Sequence, residues 1–368
     1  MKFTCEKSEL SRAIATAQRA VASKSSIPAL EGILLEANEQ LTVSGYNMST
    51  GIRTVTEAQI TETGSLVLNA RIFGEIVRRL PDDTVSFSSG ENLAVHLTCG
   101  DAAFDIPGIG AEDFPALPAV DSQFYFSVAQ NTLRSILAET GFAISTNESR
   151  PIHTGSLFEV SDEGLTVVSV DGFRLALRRE PLERKSEGGF SFVAPGSALS
   201  EVEKICAESD DLVEVTQGQR HVLFRIGNTE LICRRLEGDF LDYKKVIPRN
   251  NPVSLIAETK DFIESIDRVS VVISEKMKSP LRCTFGQNKV LFSVKTGIGE
   301  AKDVCPLAGD GGDLEIGFNN RYLADAFRFA PASQVKIELS TAVSPCIIVP
   351  TEGEENFLYM VLPVRLQA

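Results

Sequence analysis

Three stretches of this 368-residue chain repeat one pattern, and that repetition limits its fold more than any other feature. Ser8 to Arg53, Asn131 to Arg178 and Lys260 to Lys302 each open with helical spacing, pass a proline (Pro28, Pro151, Pro280) and continue through alternating strands. The run Pro28-Ala29-Leu30-Glu31-Gly32-Ile33-Leu34-Leu35-Glu36 lies beside Pro151-Ile152-His153-Thr154-Gly155-Ser156-Leu157-Phe158-Glu159 in type and order. The prolines recur about every 125 residues, the period of a whole domain and not of a solenoid unit. The second halves match too: a strand (Gly64 to Leu68, Gly189 to Val193, Asp313 to Ile316) precedes a helix (Ala70 to Leu80, Pro195 to Ala207, Asn319 to Phe329). The spacing predicts an α+β class with three tandem domains, 1–120, 121–250 and 251–368, each carrying two helices on antiparallel sheet. Boundaries follow from Pro115 to Asp121 and from Pro248 to Pro252, and without a low-complexity linker the domains should abut rigidly. Gly309 to Asp313 is read as a flexible loop.

Seven cysteines lie far apart in apolar or alternating stretches with no Cys-x-x-Cys spacing, as buried thiols in a reducing compartment would. No apolar run approaches the roughly 20 residues that span a bilayer. The amino terminus turns charged within a few residues and lacks the apolar core of a signal peptide, so a cytoplasmic protein is expected. A net charge of −14 repels nucleic acid unless positive charge is gathered in one place.

The arginines are gathered. In the first helix Leu10, Ala13, Ile14, Ala17 and Val21 form the apolar stripe, and Arg12 and Arg19 point away from it. In the next, Ile72, Phe73, Ile76 and Leu80 face inward while Arg71 and Arg78 face out; in the last, Tyr322, Leu323 and Ala326 face inward while Arg321 and Arg328 face out. The middle repeat departs from this, with Glu139 and Glu201 at exposed helix positions and Lys204 the one basic residue of its second helix. Such helix faces suit sequence-blind contact with phosphates.

Catalytic constellations are missing. The three histidines, His96, His153 and His221, stand singly without metal-ligand spacing, and neither a phosphate-binding loop nor a nucleophile elbow occurs. No metal and no cofactor is expected. Two alternatives compete: an enzyme with a domain-junction site using Asp171 and Arg174, which lacks a nucleophile or metal cluster, and a structural repeat protein, against which the reduced cysteines argue.

The chain resembles the β subunit of bacterial DNA polymerase III, the sliding clamp family, over its whole length. The resemblance rests on Met1-Lys2-Phe3, Val170-Asp171-Gly172-Phe173-Arg174-Leu175-Ala176, Phe240-Leu241-Asp242-Tyr243-Lys244-Lys245-Val246-Ile247-Pro248 and Leu362-Pro363-Val364-Arg365-Leu366, in this order. It implies a non-enzymatic processivity factor: a head-to-tail homodimer whose six domains close a ring around double-stranded DNA. The implied lining comprises Arg12, Arg19, Lys24, Arg71, Arg78, Arg321 and Arg328. It also implies a hydrophobic pocket between the second and third domains for short motifs of the replicative polymerase, the clamp loader, repair polymerases and mismatch-repair proteins. One wall would use Arg150, His153, Val170, Gly172, Phe173, Arg174, Leu175, Leu241, Lys245 and Val246, and the other Val343, Pro345, Met360, Leu362 and Pro363.

The implied ring interface uses Phe104 and Ile106 on an edge strand and Val271 and Val272 on a helix; helical phasing sets Val271 opposite the apolar Phe262 and Ile266. The sequence departs from the family at Leu241, where proline is usual, at Val170, where threonine is common, and in Gln367-Ala368, which extend past the usual terminal leucine. These departures bear on the shape of the pocket and its peptide preference.

Overall fold

Among the described residues seven helices form, and six of them fall two to each repeat. They are α1 (Lys7–Ala17), α2 (Ala70–Arg79), α3 (Gln130–Gly141), α4 (Gly196–Ile205), the single turn α5 (Tyr243–Val246), α6 (Thr259–Ser270) and α7 (Asn320–Arg328). The computed structural model describes residues 1–90, 92–273, 279–352 and 356–366. Gln367-Ala368 therefore lie outside the described residues.

Leu10, Ala13, Ile14 and Ala17 are buried as the stripe of α1 predicts. The helix yields to a 3-10 turn at Gln18–Ala20, so Arg19 belongs to that turn and Val21 lies beyond it, packed at the core's margin. In α2 the inward stripe is Ala70, Phe73 and Val77, continued by Leu80 at the C-cap. Ile72, expected inside, is 45% exposed, because the buried stripe runs through Ala70, Phe73 and Val77 and position 72 lies about 100° around the helix from Phe73.

The chain divides into two compact units. The first (Met1–Arg134, Glu183–Ser186 and Ser200–Arg235) holds a five-stranded sheet in the order Gln59–Glu62, Lys2–Glu6, Thr84–Ser89, Ala94–Cys99, Ala102–Pro107. It also holds a ten-stranded sheet in which Thr50–Thr56 of the first repeat pairs antiparallel with Thr229–Arg234 of the middle one. At that seam the buried hydroxyls of Thr54 and Thr229 lie 2.9 Å apart.

The second unit (Ser135–Leu182, Glu187–Leu199 and Leu236–Ala368) is built on another ten-stranded sheet. Here Arg174–Glu180 of the middle repeat pairs with Phe357–Val361 of the last. Within each unit, then, strand pairing continues from one repeat into the next; a strand that would have been an exposed edge has its N–H and C=O groups paired. The cores lie between helices and sheet: α1 and α2 cover Phe3, Leu35, Val43, Leu68 and Phe87, while α6 and α7 cover Phe285, Phe292, Phe318 and Ile337.

Three sequence expectations are corrected. Gly309 to Asp313 is not a loop but part of the long strand Glu300–Phe318, whose pairing with Leu281–Lys295 slips register between Phe285 and Lys289; Gly309 (φ +119°) and Gly312 (φ +60°) take up the irregularity. Glu139 is not at an exposed position: it is 7% exposed, accepts from the Ser135 hydroxyl and pairs with Arg178 Nε at 2.9 Å. Burial pushes its carboxyl above the usual range. Val271 is not inside a helix, since α6 ends at Ser270 and Val271 is its C-cap. All seven cysteines are buried and free.

Candidate functional site

The hairpin Gly164–Val170 to Arg174–Glu180 turns through Asp171, Gly172 and Phe173. Asp171 Oδ1 accepts from the backbone N–H of Phe173 at 2.9 Å and of Arg174 at 3.0 Å, and Gly172 takes φ +90°, where a side chain is strained. The Arg174 guanidinium donates to Asp171 Oδ2 at 2.8 Å and to Asp325 Oδ2 of α7 at 2.6 Å, and its central carbon lies 4.5 Å from the Tyr322 ring centroid. Both Asp171 and Arg174 are thereby engaged in fixing the turn, which leaves neither poised as the acid, base or nucleophile of the enzyme alternative. The turn presents Phe173, 59% exposed, stacked at 6.0 Å on Tyr322.

Register places the other wall at the same end of the sheet. Leu175 faces Met360, Met360 faces Ile347, and the Leu362 N–H donates to the Phe173 carbonyl at 2.8 Å. Pro345, half-buried, and exposed Val343 precede the strand Cys346–Pro350 at that end. Across the sheet face runs Phe240 to Ile247: Tyr243 is buried in one apolar cluster with Val170, Leu175, Leu177, Ile347, Val349 and Met360, while Phe240, Ile247 and Leu362 pack at its margin. His153 sits beneath, its ring 5.4 Å from that of Phe240; burial first, and the Arg150 charge second, hold it below the usual histidine range.

The residues expected as pocket walls thus sort into two layers. Val170, Leu175, Met360 and His153 are buried and form the floor, where the apolar side chains of the first three pack in one cluster. Phe173, Leu241, Val246 and Val343 are large apolar side chains left exposed, and Arg150 and Lys245 are exposed, Lys245 bonded to Asp242 at 2.7 Å. Val170, where a threonine hydroxyl would need a partner, is 1% exposed among aliphatic neighbours. Sequence reading missed Tyr322, Asp325, Phe240, Tyr243 and Glu159, which hold these walls; the short Asp-Gly-x-Arg string was the one local signal, since the others lie far away in sequence. A cleft of about 920 Å³ opens along α6 and α7, lined in part by Phe173, Tyr322, Leu362 and Pro363 together with Arg321 and Arg328.

The basic candidates are all exposed, Lys24 in the segment between two 3-10 turns. α2 and α7 are built alike. Asn69 caps α2 by accepting from the Ile72 N–H, and Asn319 caps α7 by accepting from the Arg321 and Tyr322 N–H groups. Arg71 and Arg321 therefore hold the same second position, and Arg78 and Arg328 fall in the last turn, where cations favour the helix dipole.

What sequence phasing did not show is that acids accompany them. Arg12 pairs with Glu9, Arg78 with Glu75 at 2.7 Å, Arg328 with Asp325 at 3.2 Å, and Arg19 with Glu201 at 3.0 Å. Arg79, missed earlier, shares Glu75 at 2.9 Å. Exposed pairs of this kind contribute ~0–1 kcal/mol, so a phosphate can displace the carboxylate at little cost.

Of the interface candidates, Phe104 is 37% exposed on the edge strand Ala102–Pro107, with Ile106 packed at the core's margin. Val271 is 82% exposed, whereas Val272 packs against the core and its carbonyl accepts from the Thr296 hydroxyl at 3.0 Å. Among the described residues no group of His, Cys, Asp and Glu could hold a metal ion, and no helix is long and apolar enough to cross a membrane.

Family models described as the DNA polymerase III beta subunit match in chain order: the N-terminal domain over residues 1–118, the central domain over 127–242 and the C-terminal domain over 244–365. A beta sliding clamp of Staphylococcus epidermidis is 31% identical over 376 aligned residues, covering 99% of each chain. Among solved structures, the DNA polymerase sliding clamp of Bacillus subtilis superposes with a TM-score of 0.94 at 28% identity over the whole of both chains. A putative DNA polymerase III beta subunit from Eubacterium rectale gives 0.93 at 29% identity over 99% of each. With its three clamp domains in order and its likeness running from end to end, the chain belongs to the beta subunit family of DNA polymerase III, the sliding clamps, whose role beside the polymerase is not catalytic.

Proposed function

We propose that two copies of this chain join head to tail in a ring around double-stranded DNA, in the cytoplasm, with clamp domains at 1–120, 121–250 and 251–368. Arg12, Arg19, Lys24, Arg71, Arg78, Arg321 and Arg328 contact phosphates. Exposed Phe104 and Val271, with Ile106 and Val272 behind them, close the interface between copies. Contacts that exchange carboxylates for phosphates are shallow and sequence-blind, so closure of the ring and not affinity retains the DNA.

The replicative polymerase, clamp loader, repair polymerases and mismatch-repair proteins dock by short hydrophobic motifs. The observation that carries this part is the coincidence of four exposed apolar side chains, Phe173, Leu241, Val246 and Val343, with a closed apolar floor of Val170, Leu175 and Met360. Apolar side chains presented over a rigid floor are what a short motif needs for affinity, and the flanking Arg150 and Lys245 can set its direction.

Retention on DNA tests the ring: protein loaded on nicked circular DNA should stay bound and be lost when the circle is linearised. Equal loss from both forms would refute topological binding. Titration of a fluorescent polymerase-tail peptide tests the docking cleft proposed at Phe173, Leu241, Val246 and Val343, and Leu241→Ala or Val343→Ala should each weaken binding about tenfold. Unchanged affinity in both variants would move the peptide site elsewhere.

A further inference from the structure

We propose that the hydrogen bond from Tyr243 to Glu159 is a positioning latch, holding Leu241 and Val246 in the geometry that receives a partner's motif. The inference rests on the reading of the cleft given above. Isolated helices shorter than roughly 12 residues are marginal in water, and α5 has four residues with no side-chain bond from its N-cap, Asp242. Its shape must come from tertiary anchors. Three are present: Phe240 on His153, Ile247 at the margin of the apolar cluster, and the Tyr243 ring, 5% exposed within it.

Apolar anchors are non-directional and leave a single turn free to rotate or slide by a fraction of a residue. The Tyr243 hydroxyl is directional. It donates to Glu159 Oε2 at 2.6 Å, and Glu159 sits on the strand Gly155–Ser161, which is paired on both sides. The Lys244 ammonium meets the same oxygen at 2.9 Å, so one carboxylate grips two successive residues of the turn. The two apolar residues bracketing this grip, Leu241 and Val246, are the ones left 37% and 40% exposed.

Burial opposes ionisation of Glu159, but the Tyr243 hydroxyl and the Lys244 ammonium outweigh it and hold its carboxyl below the usual range. Burial, then the bond to Glu159, push the Tyr243 hydroxyl up. At neutral pH the latch therefore pairs a charged acceptor with a neutral donor, the stronger class of hydrogen bond. Glu159 and Tyr243 are positioning residues that act through their neighbours.

The test is peptide affinity in the full-length protein, using a fluorescent peptide copied from the tail of the cognate replicative polymerase. Tyr243→Phe keeps the buried ring and deletes only the hydroxyl. It should weaken binding about tenfold, mainly through faster dissociation, with melting within about 2 °C of the parent. Glu159→Gln, whose amide oxygen can still accept from the tyrosine, should weaken binding less. The double variant should lose clearly less than the sum of the two, because the Tyr243–Glu159 bond is common to both and only the Lys244 pair is lost in addition. Additive losses, or unchanged affinity in Tyr243→Phe while Leu241→Ala weakens the peptide, would overturn the latch and leave the cleft standing. Unchanged affinity in Leu241→Ala would overturn the cleft and the latch with it. If Tyr243→Phe does not fold, Glu159→Gln with its melting curve carries the same comparison.

Discussion

Replacing Arg174 by alanine should cost this protein more than any of its surface ion pairs can contribute. The Arg174 side chain is 12% exposed, and its partners Asp171 and Asp325 are 11% and 24% exposed. Breaking a fully buried pair by removing one partner costs about 3–5 kcal/mol, because the remaining charge is left uncompensated. Here Asp171 keeps two backbone N–H donors and Asp325 keeps Arg328 at 3.2 Å with partial access to water, which lowers the figure. Loss of the guanidinium over the Tyr322 ring adds roughly 0.5–1 kcal/mol. The sum is a loss of about 2–4 kcal/mol. Since the chain has no tryptophan, urea unfolding is best followed by circular dichroism. Protomer concentration should be held fixed because dimerisation contributes to apparent stability. The midpoint should fall without a change in slope. Arg174→Lys should lose about half as much, since an ammonium cannot bridge both carboxylates in the guanidinium's geometry. A loss below about 0.5 kcal/mol for Arg174→Ala would refute the claim that this residue ties the 171–174 turn to α7.

Three further outcomes are expected. Val271→Glu should yield monomers in sedimentation, with folding intact because the side chain is 82% exposed; an undisturbed dimer would remove Val271 from the interface. Glu75→Gln releases Arg78 and Arg79 from their shared carboxylate and should raise DNA affinity about two- to threefold at low salt with a steeper salt dependence, whereas unchanged binding would take α2 off the DNA-facing surface. Glu139, whose folded carboxyl is raised by burial, stabilises the fold below the ordinary carboxylate value and loses that contribution as pH rises through the raised value. The melting difference between the parent and Glu139→Gln should thus shift in the parent's favour on acidification through that window, and a pH-independent difference would mean that the carboxyl titrates normally.

Most helices and their exposed arginines were legible because both depend on spacing along one segment. The i, i+3, i+4 stripe of α1 and the strand-then-helix order of the second halves are local patterns, and Leu10, Ala13, Ile14 and Ala17 are buried accordingly. Ile72 was misread because the stripe that packs runs through Ala70, Phe73 and Val77, and position 72 lies about 100° around the helix from Phe73. Glu139 was misread because its partner Arg178 lies 39 positions away (178 minus 139) on a strand. The segment Gly309 to Asp313 was misread because glycines that signal a loop equally permit a bulged strand when a partner strand supplies the hydrogen bonds.

The candidate cleft divides along the same line. Its members were named from strings in the sequence, yet nothing in those strings separates Val170, Leu175 and Met360, which are floor, from Phe173, Leu241 and Val343, which are exposed. The amino-acid order by itself determined the threefold domain repeat, the helix faces and the buried thiols, since each is an average over local, periodic hydrophobicity. Only the tertiary structure decided which distant carboxylate meets Arg19 or Arg178, which strand continues a neighbouring repeat's sheet, and what holds the turn at Tyr243. Those contacts join residues tens to hundreds of positions apart, and their pairing is chosen by three-dimensional packing and desolvation.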